Sequence, residues 1–270
     1  NRFLADCDEH DQLRFNFNQT GAATGRFTAP AGEPSHGFFG GPIQGIPARN
    51  DPKKPKVAHS LRRVFVAREG YSFVKADYAG QELRLVANVS GEPLWINEFQ
   101  HGTGDLHSLT ARAFFNLPEG EPVAKHHRNA GKTANFALVY GGGVQAVRRA
   151  TGVDKHEAAR QKAAFDKSVP HFTRWLKSQH EAVKKNLGIH TALGRWIAIP
   201  DANIKPGGFF ITSNGKEMPV DVALARKVQA SCERRSVNYP IQGAGAGGIK
   251  ISLVRLSKDV SKLRWPKMGA

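Results

Sequence analysis

Between Arg128 and Gly141 runs Arg-Asn-Ala-Gly-Lys-Thr-Ala-Asn-Phe-Ala-Leu-Val-Tyr-Gly, in which Arg128, Lys132, Phe136 and Tyr140 recur every four residues. On a helix of about 3.6 residues per turn, each is displaced only about 40° from the one before. One face therefore carries two cations followed by two aromatic rings. With the cations in the first two turns, unpaired amides and the positive end of the helix dipole favour an oligophosphate. The rings further along could cover a base and a sugar, so the chemistry suggested is the holding of a nucleoside triphosphate along a helix. The same spacing also arises on ordinary half-buried helices. A second candidate is Asp77, which ends an apolar run just before Tyr78-Ala79-Gly80. A carboxylate at a strand end is a good hard ligand for Mg²⁺, which takes one or two protein carboxylates beside substrate phosphates. Helix caps and turns use aspartate in the same position.

These residues need elements to position them. The spacing predicts a strand over Tyr71 to Asp77 and a helix from Gln81 to Val89, stopped by Ser90-Gly91. A helix from Asp105 to Phe115 is opened by Gly104-Asp105 and closed by Asn116-Leu117-Pro118, with His107 in its first turn. The basic-aromatic helix ends at Gly141-Gly142-Gly143. Further helices are expected from Asp154, with Glu157 completing a capping box, to Ser168, and from His171 to Leu187, stopped by Gly188. Ile189 to Ile199 reads as a hairpin, residues 205 to 220 as a second one around Asn214-Gly215, and Asp221 as the cap of a helix to Arg235. Residues 1 to 50 are rich in Gly and Pro and read as turns and short strands. The His126-His127 pair has no metal-like companions and reads as surface.

At 270 residues the chain can hold one large or two modest domains. Its 39 Lys and Arg against 23 Asp and Glu leave a formal charge of +16, which favours a polyanionic partner. Nucleic acid comes first, with ribosomal, heparin-like and membrane-surface roles open on charge alone. Cys7 and Cys232 lie far apart and form no metal spacing, which favours free thiols in a reducing compartment. No apolar run approaches a membrane span and no leader pattern opens the chain. The first residue is Asn1, which reads as the start of a fragment.

The spelling Arg128-x-x-x-Lys132-x-x-x-Phe136-x-x-x-Tyr140-Gly141 resembles the fingers-helix motif of family A DNA polymerases, the group of bacterial DNA polymerase I and its phage relatives. Four further stretches resemble the same family in the same order. They are Phe17-Asn18-Gln19-Thr20 to Thr24-Gly25-Arg26 with Ile43-Gln44-Gly45-Ile46-Pro47; Asp77-Tyr78-Ala79-Gly80-Gln81-Glu82-Leu83-Arg84; Gly104-Asp105-Leu106-His107; and Arg234 to Gly243. The resemblance covers residues 13 to 270, and Gly80 is the more phage-like variant of its motif. Family members carry alanine where Gly131 stands, and glycine costs a helix about 1 kcal/mol, so a looser helix is expected there. The glycine-rich run from Ala244 to Lys250 carries the same expectation.

What the resemblance implies is an α+β fold, a right-hand palm with an antiparallel sheet and a helical fingers subdomain, the thumb mostly absent and the palm incomplete. Residues 1–91 would be palm with a thumb remnant, 92–235 fingers, and 236–270 a palm return. Asp77 would bind two catalytic Mg²⁺ ions and the Tyr78 carbonyl one of them. Lys132 would act as general acid on the departing pyrophosphate, Arg128 and His107 would clamp phosphates, and Phe136 would stack by base and sugar. Glu82 would exclude ribonucleotides, held by Tyr140. Arg26 and Gln44 would meet the primer-template duplex, as would Arg234, Asn238 and Gln242. The implied reaction is nucleotidyl transfer from dNTP to a primer 3′-hydroxyl, in the cytoplasm of a bacterial or phage-infected cell, nucleoid-associated and off the membrane. No His-Asp-Glu occurs in the 270 residues, although the family's second metal-binding aspartate arrives in that tripeptide. The expectation is an incomplete enzyme, inactive alone, whose partners include a missing C-terminal polymerase segment or a processivity factor. The rival readings are a non-catalytic, split or decayed DNA-binding subunit and a single-subunit RNA polymerase relative, the latter opposed by Glu82.

Overall fold

Gln81–Ser90 forms helix α1, and glycine sets both of its ends. Gly80 and Gly91 each sit at φ 61, a left-handed conformation that side chains resist, and the Gly91 amide returns to the Asn88 carbonyl. The stop expected at Ser90-Gly91 is met. The computed structural model describes residues 17–29, 65–67, 69–212 and 214–260. The chain divides into two units, Asn1–Ala79 and Gly80–Ala270.

In the first unit, Asn18 and Thr28 make an antiparallel bridge across a turn in which Gly25 takes φ 74. Asn18 tightens that turn by accepting from the Thr20 amide and hydroxyl at 2.8 and 3.0 Å. Residues 71–78 carry no regular structure and are exposed. This corrects the strand expected over Tyr71 to Asp77. β-branched and aromatic residues make a strand only against a pairing neighbour, and among the described residues the paired strands all lie beyond Asn186.

The second unit is a helical bundle carrying two small antiparallel hairpins, which is the expected α+β class. Its order is α1, α2 (Pro93–His101), α3 (Leu106–Phe115), α4 (Lys125–Val139), α5 (Val144–Thr151), α6 (Lys155–Ser168) and α7 (Pro170–Asn186). The hairpins follow as β1 (Gly188–His190) with β2 (Trp196–Ala198), and β3 (Phe209–Ile211) with β4 (Glu217–Pro219), and helix α8 (Val222–Val260) comes last. Ile189 pairs Ile197 in the first hairpin and Phe210 pairs Met218 in the second. Trp95, Leu106, Phe114, Leu138, Phe165 and Phe172 centre the main core, and a smaller core gathers Val183, Ile189, Ile197, Ile199 and Cys232.

Sequence periodicity did not announce α2 or α5. The start of α2 is nevertheless written in Glu92-Pro93, with proline at the first helical position. Glu92 is buried at 2 % exposure; one carboxylate oxygen accepts from the Leu94 amide, and the other takes the His171 and Phe172 amides of α7 at 3.0 and 3.2 Å. One side chain thus caps two helices. At α6 the expected box is half formed. Asp154 accepts from the Glu157 amide at 2.9 Å, but the Glu157 carboxylate turns to Arg160 and Gln161. At the end of α7 it is Leu187, at φ 55, that turns left-handed. Gly188 is needed one step later, because a Cβ there would lie 2.2 Å from the Trp196 ring.

Helix α8 is capped by Asp221, which accepts from the Leu224 amide at 2.6 Å, as expected. It does not end at Arg235 but runs on through Pro240 to Val260. Proline removes one amide from the ladder, and burial of Val237 and Ile241 in the main core outweighs that loss. The glycine run stays helical, with Gly245 and Gly248 lying against the Gln81 side chain of α1. The loosening expected at Gly131 is likewise not found. Gly131 is buried where α4 crosses α3, and a Cβ there would stand 2.4 Å from the His107 carbonyl oxygen and 2.9 Å from the Ala111 amide. Glycine is what permits this approach.

Candidate active site

Helix α4 begins at Lys125, a turn earlier than Arg128, with no side-chain cap at Ala124. Arg128 therefore closes the first turn, and Lys132 falls in the third, beyond the reach of the helix-terminal dipole. Any anion at Lys132 is held by its own ammonium. From Arg128 to Tyr140 the face extends about 18 Å at 1.5 Å per residue.

Each position on this face has a distinct environment. Arg128 is held by Asp105, the cap of α3, through Nε to Oδ2 at 2.7 Å and Nη2 to Oδ1 at 3.1 Å. Asp105 also takes the Ser108 amide and hydroxyl at 3.3 and 2.7 Å. Burial works to raise its pKa, but the hydrogen bonds from Arg128 and Ser108 and the Arg128 charge outweigh burial and leave it below the ordinary aspartate range. Lys132 is half-buried, and among the described residues its ammonium has no hydrogen-bond or ion-pair partner. The Phe136 ring lies 5.5 Å from the His107 ring. Burial pushes the His107 pKa below the ordinary histidine range, Asp105 opposes, and Arg128 and Lys132 add to the lowering. Tyr140 closes α4 and donates its hydroxyl to Glu82 of α1.

Six sequence candidates thus share one surface: Arg128, Lys132 and Phe136 on α4, His107 from α3, and Tyr140 with Glu82 at the α1 end. The arrangement can accept a polyanion along two cations and a neutral imidazole, with an aromatic ring at its far end. Arg234, Asn238 and Gln242 follow one another at four-residue spacing along α8, Arg234 exposed and the other two half-buried. A Cβ on Gly141 would lie 3.9 Å from the Arg234 Cα, so the turn after α4 meets α8 at Arg234.

Asp77, Tyr78 and Arg26 belong to the first unit and are exposed. Gln44 lies outside the described residues. Among the described residues no group of three or more His, Cys, Asp and Glu side chains is placed to hold a metal ion. The exposed Asp77 carboxylate and the Tyr78 carbonyl beside it are hard oxygen donors of the kind Mg²⁺ takes while retaining most of its waters. His127, read as surface, stacks on Phe115 at 4.3 Å.

The sequence reading missed two residues of this region. Asp105 was seen only as a cap, although an aspartate 23 positions before an arginine leaves no local signal of pairing. Asn135 is fully buried on α4, with its Nδ2 3.4 Å from the Leu106 carbonyl and 3.5 Å from His107 Nδ1. Propensity did not single it out, because Asn129, Gly131 and Thr133 on the same helix are poor helix formers too. Among the described residues, no helix is long and apolar enough to cross a membrane.

Comparison with known proteins bears on the same residues. The family model for DNA polymerase family A matches residues 3–268. The thermostable DNA polymerase I of Thermus thermophilus is 30% identical over 245 residues, 91% of this chain and 25% of that protein. The DNA polymerase of Mycobacterium phage D29 is 30% identical over 256 residues, 94% of this chain and 34% of that protein. Among solved structures, the POL domain of Pol1 from M. smegmatis, in complex with DNA primer-template and dNTP, matches with a TM-score of 0.74 at 26% identity, covering 97% of this chain and 41% of that one. The chain spans between a quarter and a third of the length of these two polymerases. With nearly its whole length inside the family model and its basic-aromatic face assembled on one helix, the chain belongs to DNA polymerase family A.

Proposed function

We propose that this chain supplies palm and fingers residues to template-directed DNA synthesis, the transfer of a nucleotide from a dNTP to a primer 3′-hydroxyl. The observation that carries the proposal is the α4 face, where the Lys132 ammonium, without a partner among the described residues, stands between Arg128 and Phe136. The division into palm (1–91), fingers (92–235) and palm return (236–270) is part of the same reading. It is supported by the resemblance to a polymerase solved with primer-template and dNTP.

In this scheme Arg128, Lys132 and His107 hold the triphosphate, and Phe136 packs against base and sugar. Lys132 stabilises the charge developing on pyrophosphate and gives it a proton as it leaves. Glu82, held by Tyr140, crowds the sugar 2′ position and disfavours ribonucleotides. The Asp77 carboxylate and Tyr78 carbonyl would hold Mg²⁺, which supplies charge neutralisation at the transferring phosphoryl group when bound. Arg26, Gln44, Arg234, Asn238 and Gln242 contact the duplex. Two-metal transfer calls for a second carboxylate besides Asp77, so these 270 residues alone are expected to bind primed template without extending it.

The test is dNTP binding to the chain with primer-template and Mg²⁺. Lys132→Ala is expected to weaken binding by about 10- to 100-fold, the range for loss of a charged hydrogen bond. Unchanged binding by a folded variant would refute the proposal. DNA binding with no dNTP binding at all would favour the non-catalytic subunit.

A further inference from the structure

We infer that Asn135 is a positioning residue that fixes His107 in the tautomer carrying its proton on Nε2. The inference rests on the reading of His107 as a phosphate-contacting residue, and concerns how α4 prepares it. Asn135 is fully buried, so its side chain is not free to turn to solvent. Its Nδ2 faces two groups at once, the Leu106 carbonyl at 3.4 Å and His107 Nδ1 at 3.5 Å. A carbonyl accepts only, so the amide nitrogen must be the group on this side, which fixes the orientation of Asn135. The same nitrogen can only donate to His107 Nδ1. Nδ1 is then an acceptor without a proton, and the imidazole proton sits on Nε2.

Two further contacts keep the ring in place. Gly131, one turn earlier on α4, lets the His107 backbone approach to a distance at which any side chain would collide. Phe136, next in sequence to Asn135, lies against the ring at 5.5 Å. The charged groups facing His107 are Asp105 at the head of its own helix, which favours the charged ring, and Arg128 and Lys132 on α4, which with burial outweigh it and favour the neutral one. A neutral imidazole can still donate one hydrogen bond to a phosphate, provided the proton is on the outward nitrogen. Asn135 supplies that condition from behind.

Nitrogen-15 spectra of the imidazole read the tautomer directly, without activity. The expected result for the unaltered chain is a single Nε2–H form above the titration of His107. Asn135→Leu, which keeps the branching at Cγ and removes the donor, is expected to give a mixture of both forms. Asn135→Asp, whose carboxylate accepts from Nδ1–H, is expected to invert the preference; if it does not fold, Asn135→Leu decides. An Nδ1–H form in the unaltered chain, or an unchanged single form in folded Asn135→Leu, overturns the inference. In dNTP binding, Asn135→Leu is expected to cost about fivefold, the worth of one ordinary net hydrogen bond. If His107→Ala leaves dNTP affinity unchanged while the tautomer responds to Asn135 as stated, the assignment of His107 to phosphate fails and the positioning by Asn135 stands.

Discussion

Arg128 and Lys132 are both cations on one helix face, yet the structure gives them different work. Arg128 is engaged by Asp105 and Lys132 is not, so a phosphate reaching Arg128 must compete with a carboxylate while Lys132 needs no release. The Asp105 pKa lies below its ordinary value, so the pairing contributes stability above the unfolded aspartate pKa and loses it as pH falls through the folded one. Arg128→Met is therefore expected to lower stability by on the order of 0.5 kcal/mol at neutral pH, with the difference vanishing in acid. Urea unfolding of both proteins across that range measures it. For His107 the folded pKa is depressed, and a phosphate nearby would raise it. Nucleotide affinity is expected to increase as pH falls from neutrality toward that pKa, and His107→Gln is expected to flatten the profile. At the other end of α4, Glu82→Ala is expected to raise the use of rNTP relative to dNTP at least tenfold in a polymerase carrying these residues. Tyr140→Phe, which removes the hydroxyl donated to Glu82, is expected to do so less. Competitive incorporation assays separate the two.

Helices here are fastened by a few buried contacts at their crossings. Gly131 sets how closely α4 lies on α3, and a methyl group added there meets backbone that cannot rotate away. Gly131→Ala raises helix propensity yet is expected to destabilise the second unit by about 1–3 kcal/mol through overpacking. A gain in the thermal midpoint would show that the close approach is absent. Glu92 fastens α2 to α7 by accepting from the amides at both helix starts. Glu92→Ala is expected to cost about 1.5–3 kcal/mol, as befits the loss of a buried side chain that accepts from three amides, with Glu92→Gln intermediate. Chemical denaturation midpoints provide the check. The continuity of α8 through Pro240 follows from the same balance, since two buried aliphatic side chains outweigh one missing amide.

Across the whole molecule the excess of 16 positive charges is the property most directly linked to a polyanionic partner. If the chain grips primer-template through phosphates, the logarithm of its affinity must fall linearly with the logarithm of salt, by about 0.9 for each phosphate neutralised on duplex DNA. Arg234→Ala is expected to reduce that slope by about one without altering sequence preference. A salt-independent affinity would exclude a phosphate-based grip. Titration of a labelled duplex at several salt concentrations distinguishes these outcomes.

Local order was legible in the residues themselves. The four-residue period of Arg128, Lys132, Phe136 and Tyr140, the cap at Asp105, the stop at Gly91 and the turn at Asn214-Gly215 all act within a few positions of the chain, and each was readable there. So was the family, because its motifs are contiguous. Tertiary structure alone decided what lies between distant segments. It made Gly131 a contact instead of a weakness, bound Arg128 to Asp105, turned one buried glutamate into the cap of two helices, and carried α8 past its proline. Each of these depends on burial and on partners tens of residues away, and a one-dimensional pattern holds no record of such distances.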